Sequence, residues 1–495
     1  MTAIAAAATI RFCFCGVSPS RFPPETYAGS GLRLKLVIHT VMGSWIEEPL
    51  PYRLNSNDWF ERIRHLPWPA ILSSGNAQVT PGFDLVTADP VTTVSTRQGS
   101  SKISNKHRSY SSQEDPILVL RQLLDAESPH HLPRDWDGFI GGALGYFSYD
   151  LARSIESLPQ QAVRDIDIPE MGVGIYHWAV ITDHRVRRTV LRFSPGCSSK
   201  ERDQVRQCLS EGAQTTADIF RLTSLLQSNF DQHSYKGVFA ELLEYINAGD
   251  CYQANLAQRF SATYQGDPWD LFRRLDGQMQ APYSAYLDVE GSQIVCLSPE
   301  RFLTVHDGRV TTQPIKGTRP RGCNAKEDRR LADELIDSEK DRAENLMIVD
   351  LLRNDLGKCC TSGSVEVPSL FQLTSYANVH HLVSTVTGSL APQQHALDLL
   401  KGCFPGGSIT GAPKIRAMQI IDELEPQRRA IYSGSIGYIG FDGNMNTNIA
   451  IRTLLCHNDQ VHCWGGGGIV ADSDWHLEYL ESLDKIAMLL HSLNP

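Results

Sequence analysis

Strand-like and helix-like segments follow one another along this chain in no fixed rhythm, and that irregularity excludes most of the common large folds. Residues 293–297, 309–313 and 436–441 read as strands, with Gly or Asp-Gly turns between or after them. Residues 235–247 instead place Val238, Phe239, Leu242, Leu243 and Ile246 on one helical face, with Ser234 as a candidate cap and Gly249 as a natural stop. A Rossmann fold or a barrel needs a regular βα unit, and none is present. The expected class is therefore α+β, with mostly antiparallel sheets. No repeat of solenoid period occurs. At 495 residues the chain is about two to four times a usual single domain, so more than one folding unit is expected.

Composition narrows the partners rather than the fold. The 46 Lys and Arg against 56 Asp and Glu leave a net charge of -10, which makes sequence-independent nucleic-acid binding a poor candidate. An anionic ligand must then be held by a local pocket, not by the global field. No apolar run approaches the roughly 18 residues of a membrane span, so no membrane association is expected. The 12 cysteines are too dilute for a disulfide scaffold, and the close pairs Cys13/Cys15 and Cys359/Cys360 contain no CxxC zinc motif. A reducing cytoplasm is the expected compartment.

Residues 1–41 are rich in Ala and Ser, and the first acidic residue is Glu25. They resemble either a transit peptide or upstream sequence outside the working protein; the second reading has the working protein open at Met42. Residues 87–116 are mostly Ser, Thr, Gln and Lys and read as a surface loop, and residues 194–216 read as a second soft region.

The unusual local sequence concentrates in the last 200 or so residues. In 341–357, Ala343, Leu346, Met347, Asp350 and Leu351 follow the spacing of a mostly apolar helical face, and Asp341 and Glu344 lie together near the start of that helix. Glu478 and Glu481 repeat the i, i+3 spacing on another helix. Two such pairs facing each other would suit a hard divalent cation, which wants oxygen ligands and keeps several waters. Acidic pairs near helix N-termini also complement the helix dipole on a solvated face, and spacing alone favours that plainer reading. The glycines of GGGG (465–468) and GGSITGAPK (406–414) resemble anion-cradling turns ahead of helices, with Pro413 near a first turn, although a Gly run can equally be a loose loop. Lys316, between Ile315 and Gly317, is a candidate for a partly desolvated, nucleophilic amine, where most lysines are simply solvated.

Taken in order, SPERF (298–302), PIKGTRPRG (314–322), AENLMIVDLLRNDLG (343–357), GSITGAPK (407–414), IRTL (451–454) and GGGIVADSDWHLEYLESLDK (466–485) resemble the chorismate-utilising enzymes. That family includes anthranilate synthase component I, aminodeoxychorismate synthase component I, isochorismate synthase and salicylate synthase. The resemblance runs from about residue 47 to the C-terminus and is densest over 234–490. It implies antiparallel sheets packed face to face with helices outside. It also implies an N-terminal region at 42–225, similar to the N-terminal domain of anthranilate synthase component I, and a catalytic domain at 226–495. Residue by residue it implies that Glu344 and Glu481 bind Mg²⁺, with Glu478 and Asp341 beside the metal. Arg452, Tyr432 and Lys485 would hold the carboxylates of chorismate, assisted by backbone N–H groups near Gly467 and Gly468. His381 and Thr410 would line the ring, and Glu300 would be the general acid that helps the C4 hydroxyl leave.

Two positions choose among the branches. Lys316 stands where anthranilate synthases carry Ala, and in the aminodeoxychorismate branch this lysine attacks ring C2. Gln253 stands where the water-adding branches carry a lysine base, and a neutral amide cannot deprotonate water. The weaker segments EEPLPY, LPWPAILSSG and GFIGGALGYFSYD also resemble the aminodeoxychorismate branch. The implied activity is Mg²⁺-dependent amination of chorismate to 4-amino-4-deoxychorismate, for p-aminobenzoate and folate, with anthranilate formation as the nearest alternative. No cysteine has the Gly-flanked setting of a class I glutaminase, so ammonia is expected from a partner glutaminase subunit. Within AILSSG, Ser74 aligns with a feedback site and is a candidate contact for tryptophan.

Overall fold

The computed structural model describes residues 44–75, 82–133, 136–212, 218–376 and 379–493, and the expectation for residues 1–41 lies outside them. Two large sheets carry the fold, and every pairing between their strands is antiparallel. Among the described residues, the first sheet has its centre in strands Ala70–Ser73, Tyr283–Val289, Ser292–Ser298, Thr453–His457, Gln460–Ile469 and Gln253–Gln265. The second runs from Ile315–Pro320 through Val379–Ser389, Arg309–Gln313, Arg301–His306, Met445–Asn448 and Ser435–Gly440 to Gly142–Phe147 and beyond.

The strand period of two, combined with burial on both faces, explains the layering. Strand Tyr283–Val289 sends Ala285, Leu287 and Val289 into the core between the sheets and Tyr286 beneath the outer helices. Strand Ser292–Ser298 does the same, with Ile294 and Cys296 inward and Val295 and Leu297 outward. Helices Asn57–Ile63, Ser199–Ser210 and Pro268–Met279 cover the outer face of the first sheet. Helices Pro116–Glu127, Glu339–Gly357 and Ala396–Cys403 cover that of the second. The α+β class with facing antiparallel sheets and outer helices is thus what the residues build. Strands from both sides of residue 225 share each sheet: Ala70–Ser73 pairs with Tyr283–Val289, and Gly142–Phe147 pairs with Ser435–Gly440.

Four local expectations need correction. Residues 87–116 are not a surface loop but contain strands Thr92–Arg97, Ser100–Asn105 and Ser109–Ser112 at the edge of the second sheet. β-Branched Thr suits a strand, Val94 and Ile103 anchor the inner face, and the hydroxyls pair across strands, Thr96 with Ser101 and Ser104 with Ser109, each at 2.8 Å. The region 194–216 includes helix Ser199–Ser210, started by a capping box of Ser198 and Glu201. Helix Gln232–Ala248 is capped by Asp231, with Ser234 completing the box from inside, and Gly249 ends it at φ +85°. Helix Glu339–Gly357 buries Asn345, Ile348, Val349, Leu352, Asp355 and Leu356, while Ala343, Leu346 and Asp350 face solvent. Polar residues occupy the buried face because each has partners: Asn345 bonds Leu382 and Ser384, and Asp355 takes Lys358 and Lys414.

Candidate active site

The site lies where the C-terminal motifs meet, and each is brought there by a regular element. Glu300 follows strand Ser292–Ser298. Ser298 Oγ donates to the Ile449 carbonyl at 2.6 Å and Ile449 N–H donates to the Glu300 carbonyl at 3.0 Å, which fixes the backbone of SPERF. The Glu300 side chain is buried, and its Oε1 accepts from Ser408 Oγ at 2.7 Å. Burial raises its carboxyl to about 7, against the opposing pull of Ser408, the Lys316 ammonium, the Ile315 N–H and Lys485. A carboxyl in that range is about half protonated near neutrality and can give its proton away.

Lys316 sits inside strand Ile315–Pro320, at a bulge where the register on strand Val379–Ser389 shifts between Lys316 and Thr318. Gly317 makes the bulge possible: its φ is +79°, and a Cβ would meet Leu335 Cδ1 at 2.7 Å and Asp341 Cγ at 2.9 Å. Desolvation lowers the Lys316 pKa, with Lys485 adding to it, while Glu344, Glu300 and Glu481 oppose. The lysine is partly buried, among charged residues of the other motifs.

The carboxylates converge from two helices. Helix Glu339–Gly357, capped by Ser338, carries Asp341 and Glu344; helix Trp475–Asp484, capped by Asp474, carries Glu478 and Glu481. Burial raises the Glu344 carboxyl, and the like charges of Asp341 and Glu478 add to that, opposed by Lys316 and Lys340. Glu478 is raised by burial and by Glu481; it accepts from Ser473 Oγ at 2.7 Å and lies 3.7 Å from Lys340 Nζ. Partial desolvation pushes the Glu481 carboxyl up, but the side chain stays half exposed and its 2.8 Å ion pair with Lys485 leaves it lowered. Asp341 instead pairs with Arg319 at 3.2 Å. Crowded, mutually repelling carboxylates are the donor chemistry a hard cation neutralises. Among the described residues no three acidic, His or Cys side chains already close on one point.

The glycine run is not a loop. Gly465 to Gly468 lie in strand Gln460–Ile469, paired with strand Gln253–Gln265. A Cβ on Gly467 would lie 3.1 Å from Glu478 Oε2 and 3.5 Å from Lys485 Nζ, and one on Gly468 would strike Gln253 Nε2 at 1.9 Å. The missing side chains thus make room for the charged cluster and for Gln253. Gln253 is fully buried, and neither of its amide atoms finds a partner among the described residues. Such a group awaits a ligand or costs stability. In GGSITGAPK, a Cβ on Gly406 would meet Ile449 Cδ1 at 2.6 Å, and one on Gly407 would meet Leu351 Cδ2 at 2.6 Å. These glycines allow a tight apolar approach, and Pro413 stands at the start of helix Lys414–Leu424.

The remaining expected residues surround the same space. Arg452, held at φ +49° with its carbonyl accepting from Leu297 N–H at 3.0 Å, is lowered by burial and offset by Glu300. His381 Nδ1 lies 2.9 Å from Thr318 Oγ1, and burial with the Arg452 charge lowers its pKa to about 4, so the imidazole is neutral. Tyr432 stacks on Trp464 at 5.9 Å, and burial raises its hydroxyl. Thr410 is fully buried, with Oγ1 donating to the Gly406 carbonyl at 3.0 Å. Lys485 donates to the Gly466 carbonyl at 3.1 Å. Ser74 lies apart: its N–H and Oγ donate to Asp84 at 2.8 and 3.0 Å, in a separate buried polar group with His184 and Tyr52.

Sequence reasoning missed the supports. Arg429 is fully buried, pairs with Glu425 at 2.6 Å, and donates to the carbonyls of Ile409 and Asn255 at 3.0 and 2.9 Å. It thereby ties together the backbones that carry Thr410 and Gln253. Nothing in EPQRR marks the second arginine for this. Arg429→Ala leaves Glu425 buried and unpaired, so the expected loss is about 3–5 kcal/mol of stability, read as a lower urea midpoint. Adding Glu425→Gln to it should recover part of that loss.

A profile of the family described as chorismate binding enzyme matches residues 69–491. The chain is 48% identical over 436 residues to aminodeoxychorismate synthase component 1 of Escherichia coli strain K12, covering 88% of this chain and 95% of that one. The structure resembles anthranilate synthase component I from Streptococcus pneumoniae, with a TM-score of 0.74, 31% identity, and coverage of 82% and 92%. It also shares its fold with MenF, the menaquinone-specific isochorismate synthase from Escherichia coli, with a TM-score of 0.69, 18% identity, and coverage of 91% and 94%.

Proposed function

We propose that this chain, which belongs to the chorismate-binding enzyme family, aminates chorismate to 4-amino-4-deoxychorismate and keeps the enolpyruvyl group. The observation that carries this reading is the pairing in one site of a lysine driven below its ordinary pKa with a carboxyl raised to about 7. A nucleophile and an acid are both wanted at neutral pH, and these two environments supply them. In the reaction, the neutral Lys316 Nζ bonds to ring C2 while the C4–O bond breaks and the Glu300 proton leaves with the hydroxyl as water. Ammonia then bonds to C4, the C2–N bond breaks to release Lys316, and the surplus proton returns to the Glu300 carboxylate.

The other residues bind and orient. Arg452, Tyr432, Lys485 and the backbone near Gly467 and Gly468 take the two substrate carboxylates, since paired donors and cations match them. Neutral His381 and Thr410 line the ring, and Gln253, whose amide cannot deprotonate water, stands with them. Glu344 and Glu481 would hold Mg²⁺, with Glu478 and Asp341 beside it. When bound, the ion would anchor the ring carboxylate and neutralise the crowded acids.

A partner glutaminase supplies the ammonia in this reading. Supporting it, burial raises the thiols of Cys296 and Cys360 to about 11 and that of Cys197 to about 12, far from the reactive thiolate a glutaminase needs. In this reading the chain works in a reducing cytoplasm, where its cysteines stay free. The product would serve p-aminobenzoate and folate synthesis.

One assay tests the whole. Purified chain with chorismate, Mg²⁺ and ammonium at alkaline pH should yield aminodeoxychorismate. Anthranilate with loss of pyruvate would instead support the nearest rival. Glutamine in place of ammonium should yield nothing from the chain alone, and glutamine-dependent turnover without a second protein would refute the need for a partner.

A further inference from the structure

Ser408 belongs to the GGSITGAPK motif, yet no part of the proposed reaction has used it. It lies in the short turn Gly407–Ile409, is 8% exposed, and directs its hydroxyl at Glu300 Oε1, 2.7 Å away and 108 residues distant in sequence. The turn reaches that position because Gly406 and Gly407 carry no Cβ. With side chains there, Ile449 and Leu351 would be struck at 2.6 Å and the turn would have to withdraw. Ile449 also holds the backbone of Glu300, so acid and hydroxyl are registered against the same residue.

We infer that Ser408 is a positioning residue for the proton of Glu300: by donating to Oε1 it assigns that proton to Oε2. The inference rests on the reading of Glu300 as the acid, and it adds the residue that orients and tunes it. A hydroxyl that donates to a carboxylate stabilises the charged form, so Ser408 holds the acid below the value burial alone would impose. The charged groups facing Glu300 are Lys316 from strand Ile315–Pro320, Lys485 from the end of helix Trp475–Asp484, and Arg452 from the turn before strand Thr453–His457. All three are cations and act in the same sense as Ser408. The hydroxyl is the one neutral side-chain donor among them, so it can be removed without changing the charge of the site.

The sign follows. Without the Ser408 hydroxyl the Glu300 pKa rises, the acid stays protonated to higher pH, and the alkaline fall in kcat/KM moves upward. One lost hydrogen bond to a charged group predicts a move of about one pH unit. The experiment is a difference-infrared titration of the substrate-free protein, following the carboxyl band that Glu300→Gln removes, together with the pH profile of kcat/KM at fixed free ammonia. The expected result is a wild-type midpoint near the raised value, an upward shift of both midpoint and alkaline limb in Ser408→Ala, and the wild-type position in Ser408→Thr, which keeps the hydroxyl. Lower activity in Ser408→Ala with both midpoints unmoved, or an equal shift in Ser408→Thr, would overturn the inference. If Glu300→Gln keeps full activity, the reading of Glu300 as the acid is what has failed, and the infrared titration still decides the role of Ser408.

Discussion

Lys316→Ala is expected to leave less than about one hundredth of wild-type aminodeoxychorismate synthesis, a barrier increase of about 2.7 kcal/mol or more. In the proposed reaction this amine is the group that bonds to C2, and its setting suits that role. An ordinary lysine near pKa 10.4 is almost wholly charged at neutral pH and carries no lone pair. Desolvation at the strand bulge shifts Lys316 towards the neutral form, and Lys485 repels its proton further. Direct attack by ammonia leaves some activity in the variant, and the substitution recreates the Ala-containing motif of anthranilate synthases, so anthranilate among the products would not be a surprise. The decisive measurement is intact mass of wild-type protein after incubation with chorismate and Mg²⁺ in the absence of ammonia. An adduct of chorismate less water that maps to Lys316 and disappears in the alanine variant supports covalent chemistry. Turnover with no adduct under any trapping condition, and an alanine variant of undiminished rate, would make Lys316 a bystander.

Glu344→Ala and Glu481→Ala should each lose at least about 100-fold in turnover at sub-millimolar Mg²⁺, because each deletes one of few oxygens available to the ion. Their folding should respond differently from their activity. Burial and the like charges of Asp341 and Glu478 raise Glu344, so in the metal-free protein its carboxylate opposes folding. A raised carboxyl means that the folded state binds the proton more tightly, so metal-free stability falls as pH rises through its range. Glu344→Ala removes that penalty, and its melting temperature at neutral pH should equal or exceed that of metal-free wild type. Titration of metal-free protein with Mn²⁺, followed by electron paramagnetic resonance, gives a readout independent of turnover. Near-native Mn²⁺ affinity and activity in either variant would show that the two helices do not form the metal site.

Much of the candidate site was legible along the chain because its residues come in short contiguous motifs. PIKGT displays Lys316, SPERF displays Glu300, and the two i, i+3 acidic pairs sit on helices whose caps and breakers can be read directly. Less was legible where a pattern had two physical solutions. The Ser- and Thr-rich stretch 87–116 has the composition of a loop, and only the cross-strand hydroxyl pairs and the anchors Val94 and Ile103 make it sheet. The helix at Glu339–Gly357 was predictable as a helix but not in rotation, because Asn345 and Asp355 are buried against partners that no local pattern reveals.

The sequence by itself determined the α+β class with mostly antiparallel sheets, since periodicity and turn chemistry are properties of neighbours along the chain, and its ordered motifs, through the resemblance they carry, implied the outer helices and the candidate site residues. The tertiary structure decided that strands from both ends of the chain share each sheet, that the glycines of 465–468 make room rather than a loop, and that Ser408 meets Glu300. It also decided the protonation states on which the chemistry depends. A carboxyl raised to about 7 and a lysine lowered in the same site come from lost water, which outweighs the opposing charges that distant segments bring together there. Desolvation and Coulomb energy depend on distance in space, which is why no local pattern of residues carries them.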